Sequence, residues 1–296
     1  MSRKLVYEQV DVFTNKAFGG NQLAVFHSPG KLTKHQMQTI AREINFSETT
    51  FIFPSKNKEV HAKVRIFTPG EEVPFAGHPT IGTAFVLYSR MTGKKKPDTL
   101  VLELGVGKIH VDIEQSGNYI TGLTMHQPLP EFGSALQNRG QAARALGIRP
   151  FNILGGGVVS NGLSFLIVEA QERESVERAR LNLEEAVNVI DRHNVVGIYL
   201  FSREEGKELR IHARSFAPTM GVMEDPATGS AAGALGGYLA RILKFPIDLR
   251  LSVEQGVEMK RPSQIMVDIH CDRGMVNSVK VTGKVVHVGE GTIFLS

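Results

Sequence analysis

The sequence predicts an α+β protein made of two copies of one structural unit, and three observations support this fold class. Many short β-rich segments surround few helical ones, which favours antiparallel or mixed sheets over a parallel nucleotide-binding sheet. Two capped amphipathic segments recur 149 positions apart. Two shorter motifs follow each capped segment in the same order, so the whole chain is predicted to be an internal repeat.

The capped segments predict one helix in each copy. Residues 32–44, LTKHQMQTIAREI, begin with a capping box at Thr33 and Gln36 and continue with apolar residues at helical spacing. Residues 181–193, LNLEEAVNVIDRH, repeat this pattern with Asn182 and Glu185. The strands predicted around these helices include ETTFIF and HAKVRIF in the first copy and VVGIYLF and LRIHARSF in the second.

The shorter motifs place a second helix in each copy. RIFTP at 65–69 and RSFAP at 214–218 are again 149 positions apart, and EVPFAGH at 72–78 matches EDPATGS at 224–230 at an offset of 152. Each of the latter two leads into a predicted helix, GHPTIGTAFVLYSR or GSAAGALGGYLAR. The glycine run at 155–157 precedes a strand-like segment, so it lacks the helix that a dinucleotide fingerprint requires.

Composition excludes several classes of partner. The 296 residues carry 34 basic and 30 acidic side chains spread along the chain, without the basic stripe of a nucleic-acid-binding protein. No run approaches the roughly 20 apolar residues of a membrane span. The single cysteine, Cys271, rules out an internal disulfide and a multi-cysteine metal site. We therefore predict a soluble, cytoplasmic protein that binds neither nucleic acid nor membrane.

Glu48 is an acidic residue that occurs in one copy only. It lies in FSETTFIF, which matches NVVGIYLF in the second copy, so its counterpart is Val196 or Gly197, depending on where a one-residue gap is placed. By strand alternation it shares a face with Thr50. Taken alone, Glu48 is most simply a residue at an exposed strand entrance.

Two further residues break the symmetry of the copies. Asp225 stands opposite Val73, and His78 stands opposite Ser230. An aspartate before a helix is most often a capping group, and an isolated histidine is most often a packed side chain. Each residue taken singly therefore predicts structure rather than function.

Together these residues predict a binding site with acid/base chemistry. If the copies face each other, two helix N-termini meet, and Gly77 and Gly229 allow a ligand anion to approach their backbone N–H groups. Glu48, His78 and Asp225 around such an anion supply the groups needed for proton transfer. The asymmetry favours one principal base over a matched pair.

Four motifs in the expected order resemble those of the phenazine-biosynthesis isomerase family, the PhzF-like proteins, a branch of the diaminopimelate epimerase-like fold. They are DVFTNKAFGGNQLAVF, SETTF, RIFTPGEEVPFAGHPTIG and EDPATGSA. The resemblance implies two pseudo-symmetric domains, each a β-barrel-like sheet wrapped around a central helix, with the active site in the interdomain cleft. We place the domains at residues 1–127 and 128–296 and leave open whether the last strand returns to the first domain.

The resemblance also implies an activity and its residues. Glu48 matches the catalytic acid/base of a metal- and cofactor-independent isomerase, similar to trans-2,3-dihydro-3-hydroxyanthranilate isomerase, and a homodimer is expected. His78 and Asp225 would assist proton transfer. The residues implied to line the pocket for a small carboxylate substrate are Gly77, His78, Asp225, Gly229 and Ser230.

Two alternatives remain open at this point. Related epimerases use two opposed cysteines, but Ala76 and Thr228 stand beside the equivalent glycines here, which excludes two-thiol chemistry. An epimerase or racemase of an amino-acid-like substrate would then need Glu48 and a second group such as Asp225. The other alternative is a non-catalytic relative that binds a small molecule.

Overall fold

The computed structural model describes residues 3–27, 29–92, 96–117, 119–204, 209–244 and 248–295. Its backbone contacts divide the chain into two compact units, which we call unit 1 (Met1–His126 with Thr282–Ser296) and unit 2 (Gln127–Val281). The predicted domains met between residues 127 and 128, and the sequence leaves open whether the last strand returns to the first domain. In the structure the segment from Thr282 belongs to unit 1.

Strands outnumber helices in both parts of the chain. The elements up to residue 127 are β1 (Arg3–Val12), β2 (Asn21–Phe26), α1 (Lys34–Ile44), β3 (Glu48–Phe53), β4 (Ala62–Phe67), β5 (Glu72–Val73), α2 (Gly77–Arg90), β6 (Thr99–Leu104), β7 (Gly107–Ser116) and β8 (Tyr119–Gln127). The later elements are β9 (Glu131–Ala135), α3 (Arg139–Leu146), β10 (Ile153–Ser160), β11 (Ser164–Ala170), α4 (Arg173–Glu177), α5 (Leu183–His193), β12 (Gly197–Glu204), β13 (Leu209–Ala217), β14 (Val222–Asp225), α6 (Gly229–Ile242), β15 (Leu249–Gln255), β16 (Ser263–Asp272), β17 (Met275–Gly283) and β18 (Val285–Leu295).

The two units repeat one pattern of strand pairing. In unit 1, β1–β2 is antiparallel, β2–β3 parallel, β3–β4 antiparallel, β4–β6 parallel and β6–β7 antiparallel. In unit 2, the pairs β10–β11, β11–β12, β12–β13, β13–β15 and β15–β16 have the same directions in the same order. The predicted α+β class with duplicated mixed sheets is therefore confirmed.

Each unit adds one antiparallel strand to the outer side of its first hairpin. In unit 1 this strand is β18, which pairs with β1 along nearly its whole length. In unit 2 it is β9, which pairs with β10. The C-terminal strand thus occupies in unit 1 the position that β9 occupies in unit 2, and this pairing is the reason that residues 282–296 belong to unit 1.

The first helix of each repeat forms where its caps predict it. The Thr33 side chain accepts a hydrogen bond from the backbone N–H of Gln36, and the Gln36 side chain accepts one from the backbone N–H of Thr33. The two bonds complete the capping box before α1. Asn182 accepts a hydrogen bond from the backbone of Glu185 before α5. Both helices end at an asparagine in the left-handed conformation, Asn45 and Asn194.

The second helix of each repeat is the central one. Most residues of α2 and α6 are buried, including all of the first turn of each, as expected for a helix enclosed by a sheet. Helix α2 contacts β1, β2, β3 and β6, and α6 contacts β10, β11, β15 and β16. Small residues permit this close packing: a Cβ on Gly82 would lie 2.6 Å from Leu23 Cδ2. Within the described ranges, no helix is long and apolar enough to cross a membrane.

Candidate active site

Equivalent ion pairs hold the segments that lead into α2 and α6. Arg65 donates two hydrogen bonds to Glu72, with N–O distances of 2.6 and 2.7 Å. Arg214 donates two to Glu224, both at 2.8 Å. A bidentate guanidinium–carboxylate pair fixes orientation as well as distance, so both helix entrances are anchored to the strand before them in the same way.

Strand register settles which residue is the counterpart of Glu48. Glu48 is the first residue of β3, and its Cα is paired with Leu23 of β2. The equivalent parallel pair of unit 2 joins Phe165 of β11 to Gly197, the first residue of β12. The counterpart is therefore Gly197 rather than Val196, and unit 2 has a bare backbone where unit 1 has a carboxylate.

Glu48 faces the first turn of α2. Thr50, two residues further along β3, packs against this helix, and its Oγ1 lies 2.9 Å from Thr83 Oγ1. Alternation along the strand turns Glu48 to the same side, and its Oε2 lies 3.4 Å from Nε2 of His78. Only 14% of the Glu48 side chain is exposed, so this residue is not at an exposed strand entrance.

His78 is a buried, neutral imidazole. It is the second residue of α2 and is 2% exposed, and burial lowers its pKa from 6.5 to about 3, although a backbone hydrogen bond with Gln22 acts in the opposite direction. The positive end of the helix also disfavours an imidazolium there. The contact with Glu48 is therefore one between a carboxylate side chain and a neutral ring, not an ion pair, and it is slightly longer than a normal hydrogen bond.

Asp225 belongs to a hydrogen-bonded turn at the start of α6 in unit 2. It pairs with Ser215 as Val73 pairs with Ile66, which confirms the alignment of Asp225 with Val73. Its carboxylate accepts a hydrogen bond from Thr228 Oγ1 at 2.5 Å. The Asp225 side chain is buried, so it also shapes the turn that precedes the helix.

Gln255 of β15 forms hydrogen bonds with two residues of this turn. Its amide nitrogen donates to the Asp225 carbonyl at 2.7 Å, and its amide oxygen accepts from the Thr228 backbone N–H at 3.2 Å. The same oxygen accepts from the Tyr199 hydroxyl at 3.0 Å. Gln255 and Tyr199 are both fully buried, so their hydrogen bonds hold the turn before α6 in place.

Gly229 and Ser230 are the first two residues of α6, and their carbonyls are held by side chains of the same unit. Gln127 Nε2 donates to the Gly229 carbonyl at 2.9 Å, and Asn161 Nδ2 donates to the Ser230 carbonyl at 3.0 Å. In unit 1, Asn21 Nδ2 likewise lies 3.0 Å from Nδ1 of His78. Each unit thus places an asparagine from its first hairpin on the first turn of its central helix.

Sequence reasoning did not single out these asparagines. The signal was present, because both asparagines occur beside a glycine: Asn161 lies in the turn between β10 and β11, and Asn21 directly follows the turn between β1 and β2. A comparison restricted to matched positions missed them, since the two turns differ in length.

Neither central helix is capped by the side chain of its own N-cap residue. Ala76 has no side chain able to cap α2, and the hydroxyl of Thr228 is used in the Asp225 turn instead of capping α6. Backbone N–H groups at a helix start attract anions when no side chain occupies them. Of the predicted site residues, Glu48, Gly77 and His78 lie together in unit 1. Asp225, Gly229 and Ser230 lie together in unit 2.

A duplicated mixed sheet around a buried helix defines the epimerase-like fold class, and the carboxylate set against a neutral imidazole marks a candidate acid/base site. The chain belongs to the PhzF family: residues 10–291 match the family described as PhzC-PhzF, Phenazine biosynthesis-like protein.

Named relatives and a solved structure agree with this assignment. The chain is 34% identical to trans-2,3-dihydro-3-hydroxyanthranilate isomerase of Pseudomonas fluorescens, over 98% of this chain and 99% of the relative. It is 32% identical to an uncharacterized isomerase of Clostridium acetobutylicum over the full length of both. The crystal structure of a PhzF-family phenazine biosynthesis protein from Bacillus anthracis superposes with a TM-score of 0.87 at 28% identity, covering 98% and 99% of the two chains. The protein is an isomerase of this family.

Proposed function

We propose that the protein moves a proton between two carbons of a small unsaturated carboxylic acid, with Glu48 as the acid/base. The observation that carries this proposal is the contact between Glu48 and the buried His78 at the start of α2, because the equivalent position in unit 2 is a glycine. The name of the Pseudomonas fluorescens relative supports trans-2,3-dihydro-3-hydroxyanthranilate as the probe substrate.

The proposed reaction is a shift of one proton and one double bond. The Glu48 carboxylate removes a proton from a carbon next to a double bond, and the electrons of the broken C–H bond enter the conjugated system. The protonated Glu48 then returns a proton to another carbon of that system. The enol so formed becomes a ketone, and no oxidant, reductant or second substrate is consumed.

His78 acts in this scheme as a fixed polar group rather than as an acid. With a pKa of about 3 the ring is neutral at physiological pH and cannot supply a proton from an imidazolium. A neutral ring can still donate one N–H to the carboxylate and hold it in place. Catalytic hydrogen bonds commonly shorten in the substrate complex, so a distance of 3.4 Å is compatible with this role.

We assign binding of the substrate carboxylate to the backbone N–H group of Gly77, the residue before His78 in unit 1; Gly229 and Ser230, at the equivalent helix start of unit 2, stay predicted pocket residues. The support is chemical: these residues begin helices whose N-cap residues, Ala76 and Thr228, supply no side-chain cap. Asp225 is proposed to hold a polar group of the substrate and to assist proton transfer. These roles and the homodimer stay predictions.

The test is the conversion of the probe substrate in deuterated water, followed by proton NMR. Glu48→Gln removes the proton acceptor with little change of shape, so its rate should fall by roughly 10² to 10⁴. Glu43→Gln is the matched control, because it makes the same chemical change on an exposed residue of α1 and should leave the rate unchanged.

Three other outcomes of this experiment would contradict parts of the proposal. Full activity in Glu48→Gln would remove Glu48 from the mechanism. Inversion of one carbon, with deuterium at that carbon alone, would replace the isomerase by an epimerase. Binding of the probe by the wild-type protein without turnover would leave a non-catalytic protein or a different substrate.

A further inference from the structure

Asn21 is a buried residue whose position is closely determined. It opens β2, is 1% exposed, and pairs with Val12 across the hairpin. The preceding Gly20 has a φ of +61°, and a Cβ there would lie 2.2 Å from the Val12 carbonyl oxygen. Only glycine fits this position, so the backbone conformation before β2 is fixed. This conformation places the Asn21 side chain against α2.

Three contacts of His78, with Asn21, Glu48 and the backbone of Gln22, bear on where its ring proton resides. Asn21 Nδ2 is a hydrogen-bond donor and lies 3.0 Å from Nδ1, which favours Nδ1 as the acceptor, whereas the backbone hydrogen bond with Gln22 that raises the His78 pKa needs a ring N–H. A neutral imidazole with an accepting Nδ1 carries its proton on Nε2, the atom 3.4 Å from Glu48 Oε2. In the opposite tautomer an N–H would face the Asn21 amide hydrogens, and a ring lone pair would face the carboxylate.

We propose that Asn21 is a positioning residue, which holds His78 as the Nε2–H tautomer and so directs an N–H toward Oε2 of Glu48. This role rests on the proposed function, since it matters for turnover only if Glu48 is the acid/base. The N–H holds Oε2, and the moving proton is then exchanged through Oε1. Asn21 touches no reacting atom in this scheme and acts through His78.

The direct test is the tautomer of His78 in the wild-type protein. The chain has ten histidines, so a sample labelled with ¹⁵N in the imidazole rings gives a tractable spectrum, and His78→Gln identifies the signal of His78. We expect its proton on Nε2 from pH 5 to 8. A proton on Nδ1, where the backbone of Gln22 could receive it, or protons on both nitrogens would overturn the proposal.

A variant tests the effect on catalysis. Asn21→Asp replaces the donor by an acceptor of the same shape, so the His78 proton should move to Nδ1, and kcat for the probe substrate should fall about tenfold with little change in KM. A tenfold loss corresponds to one hydrogen bond worth about 1.4 kcal/mol. Asn152→Ala is the control, because it removes an asparagine that donates to Ser175 Oγ at 2.7 Å in unit 2. It should change neither the tautomer nor kcat.

The two proposals fail in different ways. Full turnover by Glu48→Gln contradicts the proposed function whatever the tautomer of His78. An inactive Glu48→Gln combined with an unchanged tautomer and kcat in Asn21→Asp contradicts only the role of Asn21. If Asn21→Asp does not fold, the wild-type spectrum still decides where the proton lies.

Discussion

Removing one carboxylate from each of the duplicated ion pairs should destabilise the two units by different amounts. Glu224→Ala leaves Arg214 without its partner in unit 2, and Glu72→Ala does the same to Arg65 in unit 1. The pairs have similar bidentate geometry, but the side chain of Arg214 is 6% exposed and that of Arg65 is 26% exposed. The two perturbations thus differ in burial, and Glu72→Ala also removes the 3.3 Å contact of Glu72 with the exposed Lys34.

The burial sets the expected magnitudes. Removing one partner of a buried ion pair costs about 3–5 kcal/mol, because the remaining charge is buried without compensation. Arg214 keeps a hydrogen bond of 2.8 Å to the Ala179 carbonyl, which places Glu224→Ala at the lower end, about 3 kcal/mol. Water can reach Arg65, so Glu72→Ala should cost about 1 kcal/mol, the range of solvent-screened pairs.

Urea unfolding followed by circular dichroism measures the free energy of unfolding of both variants. Because two units need not unfold in one step, hydrogen exchange with mass spectrometry should also locate the loss in the unit that carries the substitution. Equal losses in the two variants, or a larger loss in Glu72→Ala, would refute the argument that burial controls the strength of these pairs.

Three further predictions concern the packing of α2, the ionisation of His78 and the Asp225 turn. Gly82→Ala should lower the free energy of unfolding by about 1 kcal/mol in urea titrations, because the methyl group meets Leu23 and overpacking outweighs the gain in helix propensity; a gain in stability would contradict this. The pKa of His78 is lowered from 6.5 to about 3, so between these values only the unfolded state binds the proton, and stability should fall as the pH falls. The free energy of unfolding should fall by about 2 kcal/mol between pH 7 and pH 5. Thermal unfolding of His78→Gln should not show this loss. The same pH dependence of stability in both proteins would exclude a buried neutral ring. Asp225→Ala should cost about 1 kcal/mol by removing the acceptor of the Thr228 hydroxyl, whereas Asp225→Asn should keep it, and calorimetry that ranks the two variants the other way would contradict the hydrogen bond.

The sequence predicted the parts of this protein that depend on residues close together in the chain. The capping pattern from Thr33 placed α1, and its repetition from Asn182 placed α5, because a helix start is decided within one turn. Comparison of the copies also picked out Glu48, His78 and Asp225, since a break in a repeat is visible without any structure. The family and the class of enzyme followed from motifs of the same local kind and are confirmed by the comparisons.

Tertiary structure decided what depends on residues that are distant in the chain. Strand register, formed between segments more than 20 residues apart, made Gly197 the counterpart of Glu48 and joined β18 to β1. The neutral state of His78 follows from its burial within unit 1, and its contact with Asn21 spans 57 positions. Local sequence patterns determine which elements form, but desolvation and pairing are properties of the folded unit, and these give the candidate site its geometry and charge.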